Sequence, residues 1–387
     1  MQEKIIITGM GSISSMGSTQ EEIWRNYCTQ TTRITPCCFN NCDTWVGKLH
    51  PKQEELLKNL RKENPPFRRL DKTVLLSIIS ARQAVKNAGW GEEENISINL
   101  GSSRGATQLF EKYHKNFVQN KDDRLTPLVS PTTTLGNISS WVAYDIGSKG
   151  ASFSHSITCS TALHSILNGI AWLTSGMTTK FMAGGAEAPL SDFTIAQMRA
   201  LRIYSEEKGS FPSLPIEKNK TTNSLVLGEG AAVFCLEKDK GQHRQATIQG
   251  FGFSTELIEH NVSLSAEAEC LKEAMKMALK NANLETVDSI VMHAPGTLKG
   301  DVSEYKAIQH LFGEKIPHLI STKYTTGHTF GASGAISIEL AILMLKNKKL
   351  INLPYESFSV GNKNNPTNIM VNATGFGGNA VSIILSK

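Results

Sequence analysis

Six short apolar, β-branched runs recur along the chain, at residues 4–8, 97–100, 180–183, 231–236, 289–293 and 381–385. Stretches with helical spacing separate them. That alternation constrains the fold to the α/β class, with helices covering the faces of largely buried sheets. The 387 residues exceed a typical single domain, and no low-complexity linker divides them. Two halves packed as one unit are therefore expected. A polar break at residues 238–242 places the boundary, giving an N-terminal half of residues 1–240 and a C-terminal half of residues 241–387.

Chemistry concentrates first at Cys159, in Ser156-Ile157-Thr158-Cys159-Ser160-Thr161-Ala162. The small and apolar residues that follow read as a strand end, a sharp turn and a helix beginning at the cysteine. A helix N-terminus carries about half a positive charge and free N–H groups. A thiol there is expected to fall below its free pKa of about 8.5 and become a nucleophile able to carry an acyl thioester. A buried structural cysteine at the head of a core helix is the plainer alternative.

Two distant histidines weigh against that alternative. His293 follows an apolar run in Met292-His293-Ala294-Pro295-Gly296-Thr297, and His328 sits in Thr326-Gly327-His328-Thr329-Phe330-Gly331. Glycine permits tight turns and close approach to a ligand. One thiol with two imidazoles on turns provides an acyl carrier and two hydrogen-bond donors for a developing negative charge.

These segments resemble the beta-ketoacyl-acyl-carrier-protein synthases, the condensing enzymes of fatty-acid and polyketide synthesis, over nearly the whole chain. Ile7-Thr8-Gly9-Met10-Gly11 is similar to the family's opening strand. Arg68-Arg69-Leu70-Asp71-Lys72 is similar to its basic stretch. Ala183-Gly184-Gly185-Ala186-Glu187-Ala188 and Leu227-Gly228-Glu229-Gly230-Ala231 match its glycine-rich signatures. His293 to Asp301 aligns without a gap to His-Gly-Thr-Gly-Thr-x-x-x-Asp. Lys323 to Gly334 fits Lys-x-x-x-Gly-His-x-x-Gly-Ala-x-Gly, and Gly375-Phe376-Gly377-Gly378 fits the C-terminal loop.

The resemblance implies a thiolase-like fold, two similar halves stacked as five αβαβα layers. It implies that Cys159 accepts an acyl group, and that His293 and His328 polarise a malonyl thioester and assist its decarboxylation. The carbanion then attacks the Cys159 thioester to give a 3-oxoacyl product. The amides of Cys159 and Phe376 would form the oxyanion hole, with Phe376 also a gate and Gly375 and Gly377 shaping the substrate loop. Thr297 would contact the phosphopantetheine arm. Lys323 would support the histidines electrostatically, with Asp301 and Glu304 as acidic support. No metal and no dissociable cofactor is implied. The expected partners are an acyl carrier protein, docking at Arg68, Arg69 and Lys72, and a second subunit, either a copy or a related ketosynthase.

The chain departs from the family pattern in three places. Ala294 and Pro295 replace Gly-Thr after the first histidine, so carrier-arm binding is expected to differ. Ser337 stands where the family has glutamate, leaving Glu304 to serve Lys323, with Glu339 two residues further on. The segment from Ile216 to Ser224 has lost the usual Arg-Pro-Phe-Asp and Arg-Asp-Gly. A specialised member, as in a polyene or polyketide pathway, is expected over a housekeeping one.

The net charge of +5 is spread among acidic neighbours and does not suggest nucleic acid; an acidic carrier is the more natural partner. Seven cysteines, no visible signal peptide and no apolar run of about 20 residues suggest a reducing cytoplasm and no membrane span. Cys37, Cys38 and Cys42, with Cys28 and His50 nearby, match no common zinc spacing. Two other readings stay open: a chain-length-factor-like partner subunit, against which Cys159 counts, and acyl transfer without decarboxylation, against which the histidine pair counts. A coenzyme A thiolase would need a second cysteine in the C-terminal loop, and residues 375–378 contain none.

Overall fold

The computed structural model describes residues 4–91, 95–120, 125–257, 264–359 and 365–387. Its strands are β1 (Ile5–Ser14), β2 (Thr35–Phe39), β3 (Cys42–Gly47), β4 (Ser97–Gly101), β5 (Ser152–Phe153), β6 (Lys180–Glu187) and β7 (Leu227–Gly228). They continue with β8 (Gly230–Lys238), β9 (Ala246–Thr255), β10 (Ser289–Val291), β11 (His318–Ile320), β12 (Asn368–Gly375) and β13 (Asn379–Ser386).

Ten of these strands form one sheet in the order β11-β10-β12-β13-β9-β1-β8-β6-β4-β5. Split between β9 and β1, each five-stranded part has the same arrangement. From its outer edge inward, each runs third, second, fourth, fifth and first in its own chain order. Each also combines parallel pairs at its outer edge (β4–β5, β4–β6; β10–β11, β10–β12) with antiparallel pairs towards the join. The join itself is short and antiparallel, Ile5 to Ile7 against Ile248 to Ala246.

Helices cover both faces of each part. Lys72–Ala88 packs on β1 and β8, and Glu269–Ala282 packs on β9 and β13. The helices Thr161–Ser175 and Ser333–Asn347 touch each other, and each reaches strands of both parts. They form the middle of five layers, the thiolase-like αβαβα stack.

Burial on both faces explains the composition of the strands. All ten residues of β1 are buried. Its glycines let a helix come close: a Cβ on Gly11 would lie 2.2 Å from the Ser80 carbonyl oxygen. Gly252 repeats the device in the second half, 2.1 Å from the Ala274 carbonyl oxygen. Within the central helix, Ser333 to Leu345 is continuously buried. Phe330–Asn347 is the one described helical run long and apolar enough to cross a membrane, and 89% of it is buried inside the protein, as befits a core layer.

Sequence spacing located six strands but shortened most of them and missed others. β9 was hidden because Gly250 and Gly252 interrupt its apolar pattern. The cysteine-rich segment is a hairpin, with Phe39 opposite Cys42 and Cys38 opposite Asp43. All seven cysteines are free thiols.

Candidate active site

The nucleophile turn is held by strain and by a hydrogen-bond net. Thr158 adopts φ +46°, a left-handed conformation that a threonine takes only when its surroundings enforce it. Thr161 Oγ1 accepts from the Ile157 amide at 2.8 Å and donates to the Thr158 carbonyl at 2.6 Å. Ser160 Oγ donates to Asn379 Oδ1 in the C-terminal loop. The helix begins at Thr161, two residues beyond the cysteine, with Ser160 at its N-cap position.

This geometry corrects the expected acidic thiol. Burial pushes the Cys159 thiol up to about 12 and the Glu187 carboxylate adds to that, while Lys323 and Arg104 draw it down. Desolvation of the thiolate is the largest of these effects. The resting nucleophile is therefore a neutral thiol that must pass its proton to a neighbour.

That neighbour is His328, whose Nε2 lies 3.2 Å from Cys159 Sγ. The His328 backbone is clamped in bridge pairing with Leu227: its amide donates to the Val226 carbonyl at 2.6 Å, and the Gly228 amide donates to its carbonyl at 3.1 Å. His293 stands edge-on to His328, with ring centroids 5.3 Å apart. One ligand-type atom each from Cys159, His293 and His328 falls within 4.8 Å of the others, and all three residues are buried. This is the one cluster among the described residues with potential metal-ligand spacing, and the hairpin cysteines take no part in it. Burial, then the charge of Lys323, holds both imidazoles well below their ordinary pKa, with the His328 ring adding to the effect on His293. Two neutral imidazoles suit hydrogen-bond donation to an enolate-like oxygen.

Behind the rings lies a buried charge system. Glu304 accepts from the His293 amide at 3.0 Å, the Ala294 amide at 2.7 Å and Asn372 Nδ2 at 3.1 Å. Lys323 is 1% exposed, and burial lowers it to about 8 against the opposing pull of Glu304, Cys159 and Asp301. Glu304 is thus the carboxylate acting most strongly on Lys323. Glu339 is directed elsewhere, where it accepts from Ser12. Asp301 accepts from the Gly296 and Ile216 amides and pairs with Lys220 Nζ at 2.5 Å. Lys220, which the sequence reading passed over, anchors the segment that lacks the family's arginines.

The C-terminal loop closes on the nucleophile. Thr158 Oγ1 donates to the Phe376 carbonyl at 3.2 Å. Gly375 packs so tightly that a Cβ there would sit 1.9 Å from Thr158 Oγ1 and 3.0 Å from the Cys159 nitrogen. Gly377 has φ +102°. Phe376 is 41% exposed at the β12–β13 turn, where a gate would stand. Thr297 caps the helix Leu298–Phe312, its hydroxyl accepting from the Gly300 amide at 3.2 Å, and it is half-buried.

Arg68 and Arg69 are exposed and, with Arg61 and Lys112, line a cavity of about 310 Å³. Lys72 does not belong to that docking group. Its ammonium is bound by Glu54 at 2.5 Å and by buried Glu229 at 2.7 Å, and only 14% of its side chain is exposed. The sequence placed a basic residue beside two arginines; the buried carboxylate of Glu229, 157 residues away, turns it inward together with Glu54.

A five-layer α/β fold with a buried cysteine and two neutral histidines defines a thiolase-like condensing-enzyme framework. The chain belongs to the beta-ketoacyl synthase family: residues 2–241 match its N-terminal domain and residues 245–354 its C-terminal domain. It is 30% identical over 366 residues to the 3-oxoacyl-[acyl-carrier-protein] synthase 2 of Staphylococcus aureus (strain COL), covering 90% of this chain and 87% of that one. To the protein of the same name from Coxiella burnetii it is 27% identical, covering 100% and 99%. Among solved structures, the ishigamide ketosynthase/chain length factor superposes with a TM-score of 0.89 at 20% identity, covering all of both chains. A beta-ketoacyl synthase from Burkholderia phymatum superposes at 0.85 with 22% identity, covering 100% and 99%.

Proposed function

We propose that the chain catalyses decarboxylative Claisen condensation between a Cys159-bound acyl group and malonyl-acyl-carrier protein, yielding 3-oxoacyl-acyl-carrier protein and carbon dioxide. The observation that carries this reading is the 3.2 Å contact of His328 Nε2 with Cys159 Sγ, with neutral His293 set against the same ring. In the first half-reaction, Sγ attacks the donor thioester and the thiol proton passes to His328. The tetrahedral oxyanion collapses, the carrier thiol leaves with that proton, and Cys159 holds the acyl group. In the second, the malonyl carboxylate departs as carbon dioxide while the two imidazoles donate to the enolate oxygen. The nucleophilic carbon bonds to the acyl carbon, and Sγ leaves as the thiolate and takes up a proton from solvent.

Lys323 helps keep the histidine pair neutral, and Glu304 holds the backbone that carries His293. Asp301 braces the Gly296 turn, and Thr297 borders the entry of the carrier arm. Gly375, Phe376 and Gly377 cover the nucleophile. The boundary between the two halves falls at residues 238–242. An acyl carrier protein docks by its acidic surface on Arg68 and Arg69, and the enzyme works as a dimer, of itself or with a related subunit, in the cytoplasm. Seven free thiols suit that compartment. Pro295 and Ser337 favour a specialised pathway over housekeeping elongation. A partner-subunit role is disfavoured by the intact cysteine–histidine contact.

The test is intact-protein mass after incubation with acyl-carrier-protein thioesters, for the wild type and Cys159→Ala, followed by malonyl-carrier protein. A Cys159-dependent adduct discharged as 3-oxoacyl product is the expected result. An adduct that is never elongated would establish acyl transfer alone, and no adduct with any donor would establish the partner-subunit reading.

A further inference from the structure

The wall beside the nucleophile contains a cation that the condensation chemistry does not use. Cys159 shares an apolar cluster with Ile195, Met198, Tyr204, Leu225, Leu227 and Phe330. Over the Phe330 ring, 5.4 Å from its centroid, lies the guanidinium of Arg104. Phe330 also stands edge-on to His328, with centroids 5.4 Å apart. The order Arg104, Phe330, His328, Cys159 thus runs without a break from the cation to the sulfur.

Arg104 is half-buried and, among the described residues, has no carboxylate partner. Among the described residues its side chain makes one long hydrogen bond, 3.4 Å to Thr194 Oγ1. A guanidinium carries five N–H donors, so most of its capacity is unspent. The position is built, not incidental. One buried carboxylate, Glu187, accepts from the Arg104 amide at 3.2 Å and from the Gly331 amide at 3.0 Å, fixing the cation's backbone and that of the residue after Phe330 together. Phe330 itself is held at φ +39°, a strained setting for an aromatic residue. The charge of Arg104 is also felt at the thiol, which it draws down against burial.

We infer that Arg104 is a specificity-determining residue that selects acyl groups bearing an oxygen acceptor beyond the thioester, a ketone or a carboxylate, over saturated hydrocarbon acyl groups. The inference rests on the condensing-enzyme reading of the same site. An unpaired guanidinium in an apolar wall penalises a hydrocarbon chain, which leaves its donors unmet. It rewards an oxygen that meets them with a charge-assisted bond.

The experiment uses the full chain and Arg104→Met, which keeps the stem and removes the cation. Rates of Cys159 acylation are measured with saturated, 3-oxo and terminal-carboxylate acyl-carrier thioesters of equal length. The wild type is expected to favour at least one oxygenated class, and Arg104→Met to reduce that preference about 10- to 100-fold. A gain for the 3-oxo donor identifies a neutral acceptor, and a gain confined to the carboxylate donor identifies an anion. A second readout needs no acyl donor: the ratio of alkylation rates of Cys159 by iodoacetate and by iodoacetamide. Loss of Arg104 should lower this ratio about tenfold through loss of the attracting charge. Equal loading of all donors by wild type, or an alkylation ratio unchanged in Arg104→Met, overturns the inference. Elongation that proceeds without such a preference would leave the condensing reading standing alone. Selective loading without elongation would do the reverse.

Discussion

Gly375→Ala tests whether the C-terminal loop sets the position of the nucleophile. The new Cβ would lie 1.9 Å from Thr158 Oγ1, 3.1 Å from Thr158 Cβ and 3.0 Å from the Cys159 nitrogen. Restoring even a tight contact to the hydroxyl requires about 1 Å of movement in a close-packed setting. Rotating the hydroxyl away forfeits its 3.2 Å bond to the Phe376 carbonyl, at a cost of about 1 kcal/mol. Shifting the backbone instead displaces Cys159 and its amide from His328. Displacements of this size cost about 100-fold in rate, while overpacking costs about 1–3 kcal/mol in stability. The assay is single-turnover acylation of Cys159 by an acyl-carrier thioester, with urea denaturation alongside. Thr158→Gly removes Oγ1 and Cβ, leaving the Cys159 nitrogen as the one tight contact, and at φ +46° glycine is at ease. The double variant Gly375→Ala with Thr158→Gly should therefore recover at least tenfold of the lost rate. Acylation by Gly375→Ala within threefold of wild type would refute the claim that this contact fixes the nucleophile.

Three further outcomes are expected. Burial raises Glu339 from its ordinary 4.5 to about 7, so the stability it contributes is complete below pH 4.5 and is lost as pH rises through 7. Glu339→Gln should accordingly gain about 3 kcal/mol relative to wild type between pH 4.5 and 8, read from urea denaturation; parallel pH profiles would refute this. Asp301→Asn leaves the Lys220 ammonium, 5% exposed, without a carboxylate and should cost about 3–5 kcal/mol by the same measurement. Lys72→Ala should destabilise by about 3 kcal/mol because it strands buried Glu229, whereas Arg68→Ala and Arg69→Ala should stay within about 0.5 kcal/mol and raise the KM for carrier-bound substrate in a salt-dependent way.

The site was legible because its chemistry is carried by residue types that rarely occur together in glycine-flanked turns. Cys159, His293 and His328 could be named from their turns together with the family resemblance, and the structure brings them together. The α/β class was legible for a similar reason, since strands buried on both faces read as apolar runs. What the sequence could not show depends on distant partners. The thiol's upward shift comes from burial and from Glu187, neither visible at residue 159. Lys72 looked like a surface cation because Glu54 and Glu229 are remote in sequence. Lys220 was missed because its significance lies only in Asp301, 81 residues on. β9 was missed because its glycines, needed for contact with a helix, erase the alternation that marks a strand.

The pairing of β1 has a consequence for how the chain is made. Ile5 lies opposite Lys238 on β8 and Ile248 on β9, so β1 finds both neighbours only after roughly 240 further residues have been made. At about 5–20 residues per second, a ribosome takes roughly 10–50 s to deliver them. Throughout that interval, a ten-residue strand that is wholly enclosed in the finished protein has no sheet to join. Substitutions along β1 should therefore register first as lower yield from growing chains, before any loss of stability in molecules that have already folded.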